Sequence, residues 1–284
     1  LSMLIQSLYN IVDSIYVSRL GTDALTAVSL AYPLQNAIVS VGVGVGVGIS
    51  SAVSIHLGAG DQEKADRSAT LGVVLTFFHC ILFILAGIFI TKPFLSLFTS
   101  DPSICLSFGA LLQLAFEKIF QSIGKMKITM YLLIVGCVIN IILDPILIFG
   151  LLGFPAMGVA GAAIATVIGQ ICAFVLYVIV YIRKPYAVSI RIKYMKPDWK
   201  LILQIYSVGI PSSIMMLLPS VLISILNSII AAFSDLYVAV LGVYYKLQTF
   251  IYMPANGIVQ GMRPIIGYNY VAGEYKRVRS TIRY

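Results

Sequence analysis

The sequence predicts an all-α protein that crosses a membrane several times. Hydrophobic residues make up 60% of the 284 positions, charged residues make up 11%, and the mean hydropathy is +0.98. In a soluble domain roughly a quarter of the residues are charged. Apolar runs of about 20 residues, the length that spans hydrocarbon as a helix, recur along the chain. The net charge of +8 therefore describes loops, and we expect no nucleic-acid partner.

Eight segments are long and apolar enough, or nearly so, to be membrane spans. In chain order they are 1–17, 24–57, 70–98, 104–123, 128–151, 158–182, 201–233 and 236–268. The second, seventh and eighth are longer than one span requires and contain proline, so we expect kinks or tilting in them. Because the chain begins inside an apolar run at Leu1, we expect the start of the first span to be truncated.

The basic residues between the spans lie almost entirely on one side. Fourteen lysines and arginines follow even-numbered spans, whereas only Arg19 and Lys92 follow odd-numbered ones. Loops rich in lysine and arginine stay in the cytoplasm. We therefore expect the even connections and the amino terminus to be cytoplasmic, in a protein of the plasma (inner) membrane.

An internal repeat relates span two to span eight. A shift of 213 positions aligns eight identical residues, namely Tyr32, Leu34, Gln35, Ile38, Gly44, Gly48, Ala59 and Gly60 with their counterparts from Tyr245 to Gly273. A repeat unit of six spans preserves orientation, so the halves should be related by an axis along the membrane normal. The sequence thus predicts an amino-terminal six-helix lobe (1–182), a basic cytoplasmic linker (183–200) and the first two helices of a second lobe (201–284), with about four spans absent.

The segment from Val135 to Phe149 carries polar residues where only apolar ones fit hydrocarbon. Asn140 and Asp144 are four positions apart, so on a helix they share a face and offer oxygens to the same cation or proton. Pro145 frees a carbonyl near Ile141 beside the same acid. The alternative is a carboxyl that stays protonated and bonds across a helix interface.

Other charges within the spans are candidates for function. Asp13 is either a site acid or an interfacial one, and Lys246 either locks a carboxylate or meets the substrate. Neighbours on a helix point about 100° apart, so we expect Glu117 to face the bundle while Lys118 extends to the cytoplasm, without pairing.

The remaining motifs indicate packing rather than chemistry. In VGVGVGVG, Gly44 and Gly48 form one small-residue face and Gly42 and Gly46 another, which permits close helix approach. The four cysteines lie in apolar runs without paired spacing, so we expect neither disulfides nor a zinc site.

Several stretches together resemble the multidrug and toxic compound extrusion (MATE) transporters. They are LYNIVDSIYVSRLGTDALTAVSLAYPLQ, HLGAGDQEKADRS and INIILDPILIFGLLGFPAMGVAGAAIAT, in the expected order and joined by the six-span repeat. The resemblance covers essentially the whole chain. It implies two six-helix lobes around a V-shaped cleft, of which this chain contains about eight helices of twelve.

The resemblance also implies roles for individual residues. Asp13 matches the acid of the family's first helix, and Asn140, Asp144 and Thr166 match its amino-lobe cation site, the one place where a metal ion, Na⁺, is expected. Glu117 stands where many members carry asparagine, so it adds a carboxylate for substrate or proton. Aromatic faces for a bound cation would come from Tyr9, Phe116, Tyr244 and Tyr245.

We therefore expect a secondary active antiporter, not an enzyme, that exports cationic amphipathic compounds in exchange for H⁺ or Na⁺. It should need no cofactor, lie in the lipid bilayer and act as a monomer. The alternative, a lipid-linked oligosaccharide flippase, should show several arginines or lysines in the cleft to hold pyrophosphate. An enzyme embedded in the membrane would need a nucleophile or metal-ligand constellation, which the sequence lacks.

Overall fold

Helices form the described part of the chain. The computed structural model describes residues 11–13, 15–17, 19–20, 22–86, 103–231, 233 and 235–283, and for some of these, Tyr245 and Lys246 included, the backbone alone. The helices are α1 (Thr22–Gly58), α2 (Gln62–Ala86), α3 (Ser103–Ser122), α4 (Met126–Phe149), α5 (Val159–Arg183), α6 (Trp199–Ala231), α7 (Asp235–Val271) and α8 (Tyr275–Arg283). Residues 11–13 and 15–17 are also helical.

The predicted spans agree with the observed helices at most boundaries. Spans two and four to eight match α1 and α3 to α7 within three residues at either end. Five of the described helices contain stretches long and apolar enough to cross a membrane, in α1, α2, α4, α5 and α6. The chain is a multi-pass membrane protein.

The predicted start of the third span, Thr70, is wrong by more than two turns. Helix α2 begins at Gln62, because Asp61 accepts a hydrogen bond from the Lys64 backbone N–H at 3.1 Å and so caps its first turn. The hydrogen bond from the Lys64 side chain also lowers the pKa of Asp61. Polarity in these first turns obscured the helix start in the sequence.

Helix α1 lies at the centre of the described bundle and packs on α2, α3, α6 and α7. Its two glycine faces meet different neighbours. A Cβ at Gly44 would lie 2.6 Å from the Gly209 carbonyl oxygen of α6, and a Cβ at Gly46 would lie 2.6 Å from Lys118 Cγ of α3. Because Gly44 has no side chain, α6 can approach α1 closely on one side. Because Gly46 has none, the aliphatic part of Lys118 fits against α1 on the other.

The repeat read from the sequence recurs in the backbone. Helices α1 and α7 are each 37 residues long, and α2 and α8 begin 213 positions apart. Both connecting turns contain a left-handed glycine, Gly60 with φ 74° and Gly273 with φ 77°. In both turns the next residue, Asp61 or Glu274, donates its N–H at 2.9 Å to the carbonyl five residues earlier. The two helix exits have the same local structure.

Equivalent positions of α1 and α7 also touch. A Cβ at Gly267 would lie 3.1 Å from Ser54 Oγ, and these residues are 213 positions apart. Symmetry-related positions meet only near the axis that relates them. The two helices therefore cross at a local pseudo-two-fold axis that passes close to Ser54 and Gly267.

The connection between α5 and α6 is packed against the bundle. The Ser189 N–H donates to Asp66 Oδ1 at 2.8 Å, and Asp66 is only 5% exposed. The Tyr181 hydroxyl accepts from the Ile190 N–H at 2.7 Å and donates to the Val188 carbonyl at 2.9 Å. This connection therefore lies on the side where α2 begins, and it is held there by buried contacts.

Candidate functional site

Asp144 is a carboxylate buried inside helix α4. Its side chain is fully buried, and its Oδ1 atom has no hydrogen-bond partner among the described residues. With the Asn140 amide oriented to satisfy both of its ends, the nitrogen donates to Asp144 Oδ2 at 3.0 Å and the oxygen accepts from the Thr166 N–H at 2.9 Å. An ionised carboxylate with one bare oxygen is costly in such surroundings. The arrangement suits an incoming proton or monovalent cation.

Close packing of α4 on α5 brings Asn140 to Thr166. A Cβ at Gly136 would lie 3.2 Å from the Gly169 carbonyl oxygen, and a Cβ at Gly169 would lie 2.8 Å from the Gly136 oxygen. This mutual contact of two glycines sets the helix separation. The Thr166 hydroxyl, 3.1 Å from the Asn140 amide, also donates to the Ala162 carbonyl at 3.0 Å.

Asp13 lies near Asp144 on the amino-terminal segment. It is close enough for the two negative charges to repel, and its Oδ1 is buried without a partner among the described residues. Val17 packs with Ile148 and Ala162 and so holds this segment on α4 and α5. Two neighbouring carboxylates favour sharing a proton or cation between them.

A cavity of about 420 Å³ opens beside this site. Asn140 and Thr166 line it, whereas Asp144 lies behind Asn140 and does not. Helices α1 and α3 to α7 all contribute to its wall. The cavity is of the size of small-molecule sites, and Asn140 separates it from the buried acid.

The repeat accounts for two parts of the cavity wall. The lining residues from α1 are Asn36, Val39, Ser40, Val43 and Val47, and those from α7 are Tyr252, Met253, Asn256, Gln260 and Arg263. Four pairs across these two sets are related by the shift of 213 positions, starting with Val39 and Tyr252. The same positions of the repeat thus face the cavity, and at two of them a valine of α1, Val43 or Val47, corresponds to an amide side chain of α7, Asn256 or Gln260.

The structure corrects the expectation for Lys118. It does not extend to the cytoplasm but is 2% exposed, and its Nζ lies 3.7 Å from Glu117 Oε1. The same ammonium donates to Gln121 Oε1 at 3.0 Å and to Gln260 Oε1. Both charges line the cavity, so Glu117 carries its own counter-ion. The aliphatic part of Lys118 packs against Gly46 of α1, where a larger side chain would occupy the same space.

The other predicted binding residues whose side chains the structure describes, Phe116 and Tyr244, do not line the cavity. Phe116 is 7% exposed and packs edge-on against Phe174 at 5.5 Å, away from the cavity lining. Tyr244 is 57% exposed and does not line the cavity either. Tyr9 and the side chains of Tyr245 and Lys246 lie outside the described residues. Pro145 lies within α4, and the role expected for its freed carbonyl stays a prediction.

Sequence reasoning missed several polar cavity residues. The sequence indicates Lys246 as a cation for a substrate role, whereas in the described structure the cations that line the cavity are Lys118 and Arg263. Gln260 and Arg263 are three positions apart on α7 and therefore share a face. The signal available in the sequence is that Gln260 is a polar residue inside an apolar span, at a position where the shift of 213 places Val47 in the first lobe.

Comparison with known proteins identifies the family. The family model described as MatE matches residues 1–146 and 211–284. The chain belongs to the MatE family. Among MatE relatives it is similar to the multidrug export protein MepA of Staphylococcus saprophyticus, with 27% identity over 99% of this chain and 64% of that protein. It is likewise 31% identical to the probable multidrug resistance protein YoeA of Bacillus subtilis, over 100% of this chain and 65% of YoeA.

Solved MatE structures share the fold described above. The outward-facing conformation of a multidrug resistance MATE family transporter of the MOP superfamily matches with a TM-score of 0.88 and 27% identity. The match covers 99% of this chain and 64% of that one. The chain thus spans just under two thirds of the length of these relatives, and its fold is that of a MATE transporter.

Proposed function

We propose that the protein is a secondary active antiporter that exports cationic amphipathic compounds in exchange for H⁺ or Na⁺. The observation that carries the proposal is the Asp144 carboxylate, which is fully buried behind the cavity with Oδ1 unpartnered in the described structure. A buried acid of this kind is expected on an ion pathway. The multidrug export proteins among its relatives support the same class of activity.

Exchange would follow from the position of Asn140. It lines the cavity and donates to Asp144, so a cation in the cavity and a cation at Asp144 act on one connected hydrogen-bond network. Binding at one place favours release at the other when both compete for the same negative charge. Asp13 would join this site, since its charge already acts on Asp144.

Alternating access would then carry the compound across the membrane. The cavity is bounded by helices from both predicted lobes, α1 and α3 to α5 on one side and α6 and α7 on the other. Relative movement of two repeats around a fixed site is the usual mechanism for transporters of this construction. The basic connections and amino terminus would face the cytoplasm of a plasma (inner) membrane.

The Asp144→Asn variant tests the proposal in vesicles. We expect uphill export of a fluorescent organic cation, driven by a pH or sodium gradient, to be abolished while the protein remains in the membrane. Imposing the two gradients separately identifies the coupling ion. A matched control is Asp61→Asn, which removes a partly exposed acid outside the spans and should export normally. Undiminished gradient-driven export by Asp144→Asn would refute the assignment.

A further inference from the structure

The connection between α5 and α6 contains a short exposed loop, residues 192–197, whose two ends are fixed on helix α2. At one end the Arg191 N–H donates to Thr70 Oγ1 at 3.2 Å, and Thr70 is 1% exposed. At the other end an Arg67 guanidinium nitrogen lies 3.1 Å from Asp198 Oδ2. Both anchors belong to neighbouring turns of α2. The loop 192–197 therefore has a defined position against the bundle.

This position is level with the surface of the membrane. Arg67 and Thr70 lie in the second and third turns of α2, which begins at Gln62. The polar first turns of this helix give way to its apolar run at Thr70. Trp199, the first residue of α6, is 72% exposed, and tryptophan is enriched where headgroups meet hydrocarbon. The loop 192–197 thus lies beside the boundary between the two.

Two large apolar side chains of the loop are turned away from the protein. Ile192 is 85% exposed and Met195 is 49% exposed. Ile192 begins a short 3-10 turn, Ile192–Tyr194, so its direction is fixed by regular backbone. Segments that combine exposed apolar side chains with lysines lie in the plane of the membrane interface. The bilayer is the apolar partner that this position offers to both side chains.

The cations of the loop have no acid to neutralise them. Arg191, Lys193 and Lys196 are exposed, and none of them takes part in an ion pair within the described structure. The one acid in the sequence between positions 183 and 200 is Asp198, which is already paired with Arg67. Clustered lysines and arginines at a membrane surface attract anionic lipids, by about fivefold in affinity for each residue. The charge of the loop is therefore complementary to an anionic headgroup.

We propose that the loop 192–197, together with Arg191, binds the headgroups of anionic phospholipids. Its cations donate to the phosphate oxygens, and the exposed side chains of Ile192 and Met195 enter the acyl-chain region. Because both ends of the loop are held on α2, little conformational freedom is lost when lipid binds. The inference concerns the bilayer and is independent of which compound the protein exports.

Trp199 reports which lipid lies beside the loop. The purified protein is reconstituted in mixed bilayers of phosphatidylglycerol, which is anionic, and phosphatidylcholine, which is neutral. In one sample the first lipid carries brominated acyl chains, and in the other the second does, at the same mole fraction. Bromine quenches tryptophan fluorescence on contact, and the signal of Trp199 is the part that Trp199→Phe lacks. We expect phosphatidylglycerol to occupy the positions at Trp199 with at least about fivefold higher affinity than phosphatidylcholine.

Neutralising the loop tests the cause of this preference. In the double variant Lys193→Gln and Lys196→Gln, we expect the two brominated lipids to quench Trp199 nearly equally. The matched control is Lys276→Gln with Arg279→Gln, which removes two exposed cations from α8. It lowers the net charge of the protein by the same amount and should retain the preference.

Each other outcome overturns the proposal. Equal quenching by the two lipids in the wild-type protein shows an interfacial tryptophan without selection of anionic lipid. No quenching by either lipid shows that Trp199 lies in water, away from the bilayer. A preference that falls equally in both double variants follows the net charge of the protein and does not belong to the loop 192–197.

Discussion

Replacing Gly48 by alanine should force helices α1 and α6 apart. The added Cβ would collide with the Ile205 carbonyl oxygen and lie 3.0 Å from its carbonyl carbon. A backbone carbonyl in a helix cannot rotate away, so the whole helix contact has to shift. Inserting a methyl group into such packing costs about 1–3 kcal/mol. For large domains each kcal/mol lowers the melting temperature by about 2–4 °C.

Gly42→Ala is the matched control on the opposite face of α1. There the new Cβ meets the end of the buried Leu111 side chain, which can shift more readily than a helix carbonyl, so the packing cost is smaller than at Gly48. The gain in helix propensity, up to about 1 kcal/mol, offsets it. Melting of both variants is followed by differential scanning fluorimetry in detergent. If the melting temperature of Gly48→Ala is no lower than that of Gly42→Ala, then Gly48 is not required for close approach of the α1 and α6 backbones.

Three further predictions concern the packing of the bundle and its connections. Asp66→Ala leaves the Ser189 N–H unpaired, at a cost of about 1–3 kcal/mol. Trypsin should then cleave the basic connection between α5 and α6 faster than in Asp61→Ala, and equal rates would contradict the docking role. Tyr177→Phe removes the hydrogen bond from the buried hydroxyl to the Thr129 carbonyl at 3.2 Å. The unfolding free energy, measured in denaturant melts, should fall by about 1 kcal/mol. The control Tyr275→Phe changes an exposed tyrosine and should leave the unfolding free energy unchanged. The Asp61 and Lys64 pair should add no pH dependence to the melting temperature between about pH 5 and 8. The pKa of Asp61 lies below its ordinary value, so the contact is lost only in stronger acid. A melting temperature that changes with pH in this range for the wild type but not for Asp61→Asn would contradict this.

The bilayer made the helices easy to predict from the sequence. A span must satisfy all of its backbone hydrogen bonds internally, so apolar runs translate directly into helices such as α4 and α5. The repeat was equally easy to predict from the sequence, because a glycine followed by an acid recurs in the equivalent turn, at Gly60 and Asp61 and again at Gly273 and Glu274. The start of α2 was missed because its first turns lie outside the apolar run and are polar.

The polar contacts of the site were only partly predictable. Spacing on one helix placed Asn140 beside Asp144, since residues four apart share a face. Contacts between helices depend on which faces meet, and spacing alone does not specify that. Lys118 points into the bundle because the residue of α1 that it packs against is Gly46. The sequence did not indicate that these two residues of different helices are in contact.

The packed position of Phe116 has a recognisable signal in the sequence. Phe116 and Phe120 are four apart on α3, and Phe120 lies 5.6 Å from the ring of Tyr177 on α5. Aromatic residues at helical spacing on two adjacent helices indicate a packed core. Among the described residues, the aromatic side chain that lines the cavity is Tyr252 of α7.

The release of a bound cation on adding substrate tests the central claim most directly. With the purified protein in weakly buffered detergent solution, a cationic dye is titrated while an indicator follows H⁺ and a selective electrode follows Na⁺. We predict that the wild-type protein releases one of these ions as the dye binds and that Asp144→Asn binds dye without release. Equal release from both proteins would show that the exchanged charge resides elsewhere than on Asp144.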